Sequence, residues 1–143
     1  MTDVLDLYQY AEKQAVQIYW FSLDSAESLS YQDVDGDCYI AMNPWHLATV
    51  EEEKVKLSHE LGHCCTGSFY NQWAALDVRE KHERRADKWA IEHLVSAEEL
   101  DDAVASGCTD IWSLAKYFGV TEEFMRKAVC WYTHGNLAVD SYM

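Results

Sequence analysis

Apolar residues follow a helical period at the start of the chain and an alternating period soon afterwards. The first pattern predicts a helix over residues 2–13. β-Branched and aromatic residues dominate the following runs, which predicts three short strands over 16–23, 29–34 and 38–42. Asp35-Gly36 separates the last two runs, and an Asp-Gly pair in that position is a hairpin signal.

The remainder of the sequence has helical spacing with recognisable helix starts. Thr49 with Glu52, and Ser96 with Glu99, have the spacing of capping boxes, which satisfy the free amides of a first helical turn. The predicted helices cover about 49–65 and 79–95, a segment from 96, 108–118 and a segment from 121, with irregular structure after Tyr132. We therefore expect an α+β fold, with a small three-stranded sheet packed on a mainly helical core.

The predicted helix over 49–65 has two chemically different sides. Its expected core-facing side comprises Val50, Leu57, Leu61 and Cys64, and its other side comprises Val55, His59, Gly62 and His63. Glycine inside a helix costs roughly 1 kcal/mol relative to alanine. A close approach of another backbone to this helix would explain Gly62.

Composition indicates one compact domain over residues 1–143. Hydrophobic residues make up 49% of the chain, and only one Pro and six Gly are present. A chain of this length can bury a substantial hydrophobic core. Within the domain, 1–48 would hold the first helix and the sheet, 49–95 two long helices, and 96–132 the C-terminal helices.

Charge and cysteine content narrow the classes of function. The formal net charge of −14 argues against binding nucleic acid or an anionic membrane, because both favour basic surfaces. An acidic protein that mimics DNA stays open as an alternative. The sequence has no apolar run of membrane-spanning length and no targeting signal. Its five Cys lack Cys-x-x-Cys spacing, which indicates reduced thiols in a cytoplasmic protein.

Candidate chemistry is concentrated in His59-Glu60-Leu61-Gly62-His63. Residues four apart lie on the same face of a helix, so His59 and His63 can bind one metal ion. Glu60 would then reach a water molecule on that ion. A solvated pair of histidines on an amphipathic helix is the alternative that the motif alone leaves open.

Glu83 is the best candidate for a third ligand, since a catalytic zinc site uses three protein ligands and keeps one position for water. It lies on an otherwise small and apolar helix face, where burial of a carboxylate is costly unless it is paired or bound to metal. Asp87, one turn further on, could accept the second N–H of a metal-bound imidazole. A charged surface helix is the alternative, and His82 and Glu80 are the fallback ligands.

Residues 114–121 have the spacing of helix-turn-helix DNA readers. Gly119 would end one helix and Thr121 would cap the next. The second helix then opens with Glu122 and Glu123, whose carboxylates would face phosphates. We therefore predict that these helices are scaffold, and that the protein makes no direct contact with nucleic acid.

Four stretches together resemble the ImmA/IrrE family of metallopeptidases. They are 39–43 before the motif helix, 56–63 with the histidine pair, 83–90 in the following helix, and 114–120 near the C-terminus. The resemblance covers roughly residues 1–132, and the joint pattern is far more specific than the histidine pair alone.

This resemblance implies a site and an activity. The fold would contain a zincin-like metallopeptidase core, with His59, His63 and Glu83 as ligands of one Zn²⁺ and Glu60 as catalytic base. Members of the family are small bacterial and phage proteins associated with cleavage of helix-turn-helix repressors. The implied partner is thus a protein substrate, a helix-turn-helix regulator. Segment 66–78 carries no signature of the family, and we expect it to border the substrate groove.

Zinc-dependent hydrolysis of a peptide bond is the leading functional hypothesis. Glu60 would take a proton from water and deliver it to the leaving amine. A developing oxyanion also needs a hydrogen-bond donor, and the candidates are Tyr70, His93, Tyr132 and His134. The alternative is a regulator without proteolytic activity, an anti-repressor or toxin–antitoxin component that binds its partner and retains a metal site.

Overall fold

The computed structural model describes residues 1–135, which form six helices and one three-stranded sheet. The helices are α1 (Val4–Lys13), α2 (Val50–Thr66), α3 (Leu76–Leu94), α4 (Ala97–Ala105), α5 (Ile111–Phe118) and α6 (Glu122–His134). The strands are β1 (Gln17–Trp20), β2 (Ser28–Gln32) and β3 (Cys38–Met42). The expected α+β fold is confirmed. Across residues 1–135, no helix combines the length and apolarity that crossing a membrane requires.

β3 is the central strand of the sheet. It pairs antiparallel with β2, so the hairpin predicted from Asp35-Gly36 is confirmed, and it pairs parallel with β1. Alternate residues of β3, namely Cys38, Ile40 and Met42, are buried against the helices. Because β3 lies between the other two strands, β2 is at one edge of the sheet, where it also contacts α2.

Several predicted features differ from the structure. α3 begins at Leu76, one turn before the predicted start, and its N-cap residue Ala75 makes no side-chain hydrogen bond that a sequence pattern could reveal. Val50 is exposed, because it lies in the first turn of α2, whereas Leu57 and Leu61 further along are buried in the core as predicted. α6 continues past Tyr132 to His134, and the rest of the predicted irregular tail, 136–143, lies outside the described residues.

Gly62 marks the closest approach of α2 and α3. A Cβ atom at this position would lie 2.5 Å from the backbone oxygen of Ala86, a distance that real Cβ atoms do not tolerate. Ala86 and Ala90, both small and buried, form the facing side of α3. The structure thus supplies the physical reason expected for a glycine inside this helix.

Replacement of Gly62 by alanine should destabilise the fold by about 1–3 kcal/mol, because the added methyl group would overpack a backbone-to-backbone contact. Helix propensity alone would predict a gain of roughly 1 kcal/mol. Urea unfolding of both proteins measures the difference. An unchanged or increased free energy of unfolding would show that the contact is not close in solution.

Candidate metal centre

α2 and α3 bring the side chains of His59, His63 and Glu83 together. One ligand atom from each lies within 4.8 Å of the others. The two Nε2 atoms are 3.2 Å apart, and the Glu83 carboxylate is 2.7 Å from Nε2 of His59 and 3.1 Å from Nε2 of His63. His63 is buried, whereas Glu83 is partly exposed, with 39% of its side-chain surface accessible.

The outer nitrogens of both imidazoles face oxygen acceptors. Nδ1 of His59 is 2.7 Å from Oδ1 of Asp87, and Nδ1 of His63 is 2.5 Å from the carbonyl oxygen of Ser68. A carbonyl or carboxylate oxygen can only accept, so each Nδ1 must carry a hydrogen and donate it. In the neutral rings, both Nε2 atoms therefore present lone pairs.

Three electron-rich groups thus converge on one point, which is unfavourable unless a positive charge lies among them. Two imidazole nitrogens and a carboxylate oxygen are ligands that suit zinc and related divalent ions. The fixed tautomers satisfy the further requirement that metal-bound histidines are oriented through their other nitrogen. The donor set consequently fits a divalent metal ion.

In the metal-free protein, a proton supplies the positive charge. Burial alone would lower the pKa of His59, but hydrogen bonds to Asp87 and Glu83 outweigh it and raise the pKa from 6.5 to about 10. Burial would raise the pKa of Glu83, yet its interactions with the imidazoles of His59 and His63 hold that pKa well below its usual value. A metal ion must therefore displace the proton of His59.

Asp87 connects the centre to a third helix. Burial would raise the pKa of its carboxyl, but the bond to His59 and the charge of Lys127 on α6 lower it. Nζ of Lys127 lies 3.6 Å from Oδ2, on the side of the carboxylate away from the imidazole. Lys127 carries no signal in the sequence motif and is placed here by the packing of α6 on α3.

Glu60 is buried beside the histidines, and its Oε2 accepts a hydrogen bond of 2.6 Å from Oγ of Ser28 on β2. These groups face a cavity of about 360 Å³. Phe69 and Tyr70 border the same cavity. Of segment 66–78, residues 68–70 therefore lie along this cavity. Ser28, distant in sequence, was missed because no local pattern links it to Glu60.

Tyr70 is the one of the four oxyanion candidates that borders this cavity. Its hydroxyl donates a 2.9 Å hydrogen bond to Oε1 of Glu83, and its ring stacks on His82. The cavity is not lined by the other three, namely His93, Tyr132 and His134. The fallback ligands His82 and Glu80 stay outside the described group of converging metal-ligand atoms.

The metal-free protein should lose stability as pH rises. The pKa of His59 is higher in the folded state than its ordinary value of 6.5, so its contribution is complete below pH 6.5 and is lost as pH approaches about 10. Urea unfolding in the presence of a chelator measures this loss. The free energy of unfolding should be lower at alkaline pH than at pH 6, by on the order of 1 kcal/mol. A His59→Gln variant should lack this part of the difference, and an identical pH dependence would contradict the ion pair.

Comparison with known proteins identifies the family of this chain. The sequence matches the peptidase family described as IrrE N-terminal-like domain over residues 11–129. No curated protein sequence matches the chain significantly. A solved structure of a Mycobacterium tuberculosis transcriptional regulator is similar, with a TM-score of 0.64 and 14% identity, over 85% of this chain and 38% of that one. At this identity the likeness shows the fold alone, and this chain spans well under half of that regulator's length. Because the family match covers most of the sequence, the chain belongs to the IrrE N-terminal-like domain family of peptidases.

Proposed function

We propose that this protein is a zinc-dependent peptidase that cleaves a regulatory protein of the helix-turn-helix class. The convergence of His59, His63 and Glu83 beside the buried carboxylate of Glu60 is the observation that carries the proposal. Metal ligands and a carboxylate base within reach of one cavity are the components that metal-assisted hydrolysis needs. Membership of a peptidase family supports the same reaction class.

A zinc ion held by His59, His63 and Glu83 would polarise the scissile carbonyl and lower the pKa of water to about 7. Asp87 and the carbonyl oxygen of Ser68 keep the two imidazoles in the tautomer that such binding needs.

Glu60 moves the protons in this proposal. Ser28 donates to its Oε2, so Oε1 takes the proton from the attacking water and returns it to the leaving amine. The hydroxyl of Tyr70 is the candidate donor for the developing oxyanion. To donate there, it would break its hydrogen bond to the carboxylate of Glu83.

The proposed substrate class rests on the family resemblance and on charge. A chain with a formal net charge of −14 attracts a basic partner, and a DNA-binding regulator has a basic surface. The second candidate function is a regulator that binds its partner without cutting it. The name of the similar structure, a transcriptional regulator, supports this alternative.

Replacement of Glu60 by glutamine distinguishes the two candidates. Peptide-bond cleavage of a helix-turn-helix regulator encoded beside this protein should fall by about 10²–10⁴-fold, because the base is lost while the ligands remain. Mass spectrometry follows the cleavage, and elemental analysis should find an unchanged zinc content. Glu51→Gln, an exposed position in the first turn of the same helix, is the matched control. Relief of repression by the Glu60→Gln variant would instead favour the binding-only regulator.

Replacement of Asp87 by asparagine should weaken zinc binding by about 10–100-fold, because His59 loses the carboxylate that orients it. Competition with a chelating dye measures the affinity. Asp77→Asn, at the exposed start of the same helix, removes one negative charge without touching the centre. Equal effects of the two substitutions would mean that only overall charge matters.

A further inference from the structure

A second cavity adjoins the candidate metal centre. It has a volume of about 600 Å³ and is bordered by α2, α3 and α6. His59 and Glu83 line both this cavity and the one that holds Glu60, so the two open onto the same centre. We refer to the larger cavity as the acidic groove, for the carboxylates described next.

The groove combines apolar and acidic surfaces. Val55 of α2 is partly exposed in it, and the buried Ile91 of α3 and Phe124 of α6 form its floor. Among residues 1–135, five carboxylates also line the groove, whereas only two lysines do. The carboxylates are those of Glu27, Glu52, Glu83, Asp87 and Glu123. An extended segment with both apolar and charged side chains would match this lining.

Both lysines are already paired. Nζ of Lys56 is 3.2 Å from Glu27, and Nζ of Lys127 is 3.6 Å from Asp87. Within residues 1–135, the salt bridges include none for Glu52 or Glu123. Oε2 of Glu52 accepts a 2.9 Å hydrogen bond from the backbone amide of Ala48, and Glu123 is exposed. These two carboxylates, on α2 and α6, therefore add negative charge to the groove that no ion pair within residues 1–135 neutralises.

We propose that the acidic groove binds a basic, amphipathic segment of the protein substrate. Apolar side chains of that segment contact Val55 above the floor of the groove, and its lysine or arginine side chains pair with Glu52 and Glu123. The inference rests on the proposed function, since the shared residues His59 and Glu83 place a bound segment beside the reacting bond. Continuity with this centre and charge complementarity together favour a basic peptide as the occupant.

Binding is tested separately from cleavage, with the zinc-loaded Glu60→Gln protein. The probes are two fluorescein-labelled decapeptides, one of alternating leucine and lysine and one of alternating leucine and glutamate. Fluorescence anisotropy should show tighter binding of the lysine peptide. The preference should shrink as the ionic strength rises from about 0.05 M to about 0.5 M, because salt screens exposed charges.

A charge-reversing substitution tests whether the lysine peptide binds in the acidic groove. Glu123→Lys should raise the Kd of the lysine peptide by about fivefold to tenfold, since an attraction becomes a repulsion. Glu122→Lys is the matched control, because Glu122 lies in the same first turn, does not line the groove and makes only a 3.8 Å pair with Arg126. It should change the Kd less than twofold. Equal effects of the two reversals would mean diffuse attraction to an acidic surface and would overturn the proposal.

The outcomes distinguish failure of the groove proposal from failure of the peptidase proposal. Groove-dependent binding of the lysine peptide, together with a wild-type protein that cleaves no helix-turn-helix regulator, would support the groove and remove the proposed peptidase. Zinc-dependent cleavage of the regulator, with no preference between the two peptides, would support the peptidase and overturn the groove.

Discussion

The central physical constraint in this protein is the enforced proximity of two imidazole lone pairs and a carboxylate. The two Nε2 atoms lie 3.2 Å apart because His59 and His63 are one turn apart on α2. The close packing of α3 on α2 at Gly62 brings Glu83 to both rings. Asp87 and Ser68 accept hydrogen bonds from the outer nitrogens, so the rings cannot turn their lone pairs away. A positive charge among these groups, from a proton or a metal ion, therefore stabilises the arrangement.

Each group of the centre is oriented by an element other than its own. Ser28 on the edge strand β2 fixes Glu60, and Asp87 on α3 fixes His59. Lys127 on α6 in turn pairs with Asp87. These contacts join the centre to the sheet and to the C-terminal helices, so the packing of the fold and the geometry of the centre are coupled. Loss of the contact from Ser28 or from Lys127 would alter the electrostatics of the centre.

Charge acts at two scales in this molecule. The net charge of −14 lies over the whole chain and sets the sign of the partner that it attracts. Locally, the acidic groove concentrates carboxylates beside His59 and Glu83, where the neighbouring lysines are already paired. Under the proposal for the groove, a basic partner is attracted first by the net charge of the protein and then by the groove beside His59 and Glu83.

The sequence by itself determined what depends on spacing within one element. Helical periodicity placed His59 with His63, and Glu83 with Asp87, on common faces, and the Asp35-Gly36 turn indicated the β2–β3 pair. Only the tertiary structure decided which faces meet. The bond from Ser28 to Glu60, the ion pair of Lys127 and the parallel pairing of β1 with β3 join residues far apart in the chain. No local period encodes such contacts, because they arise from how whole elements pack together.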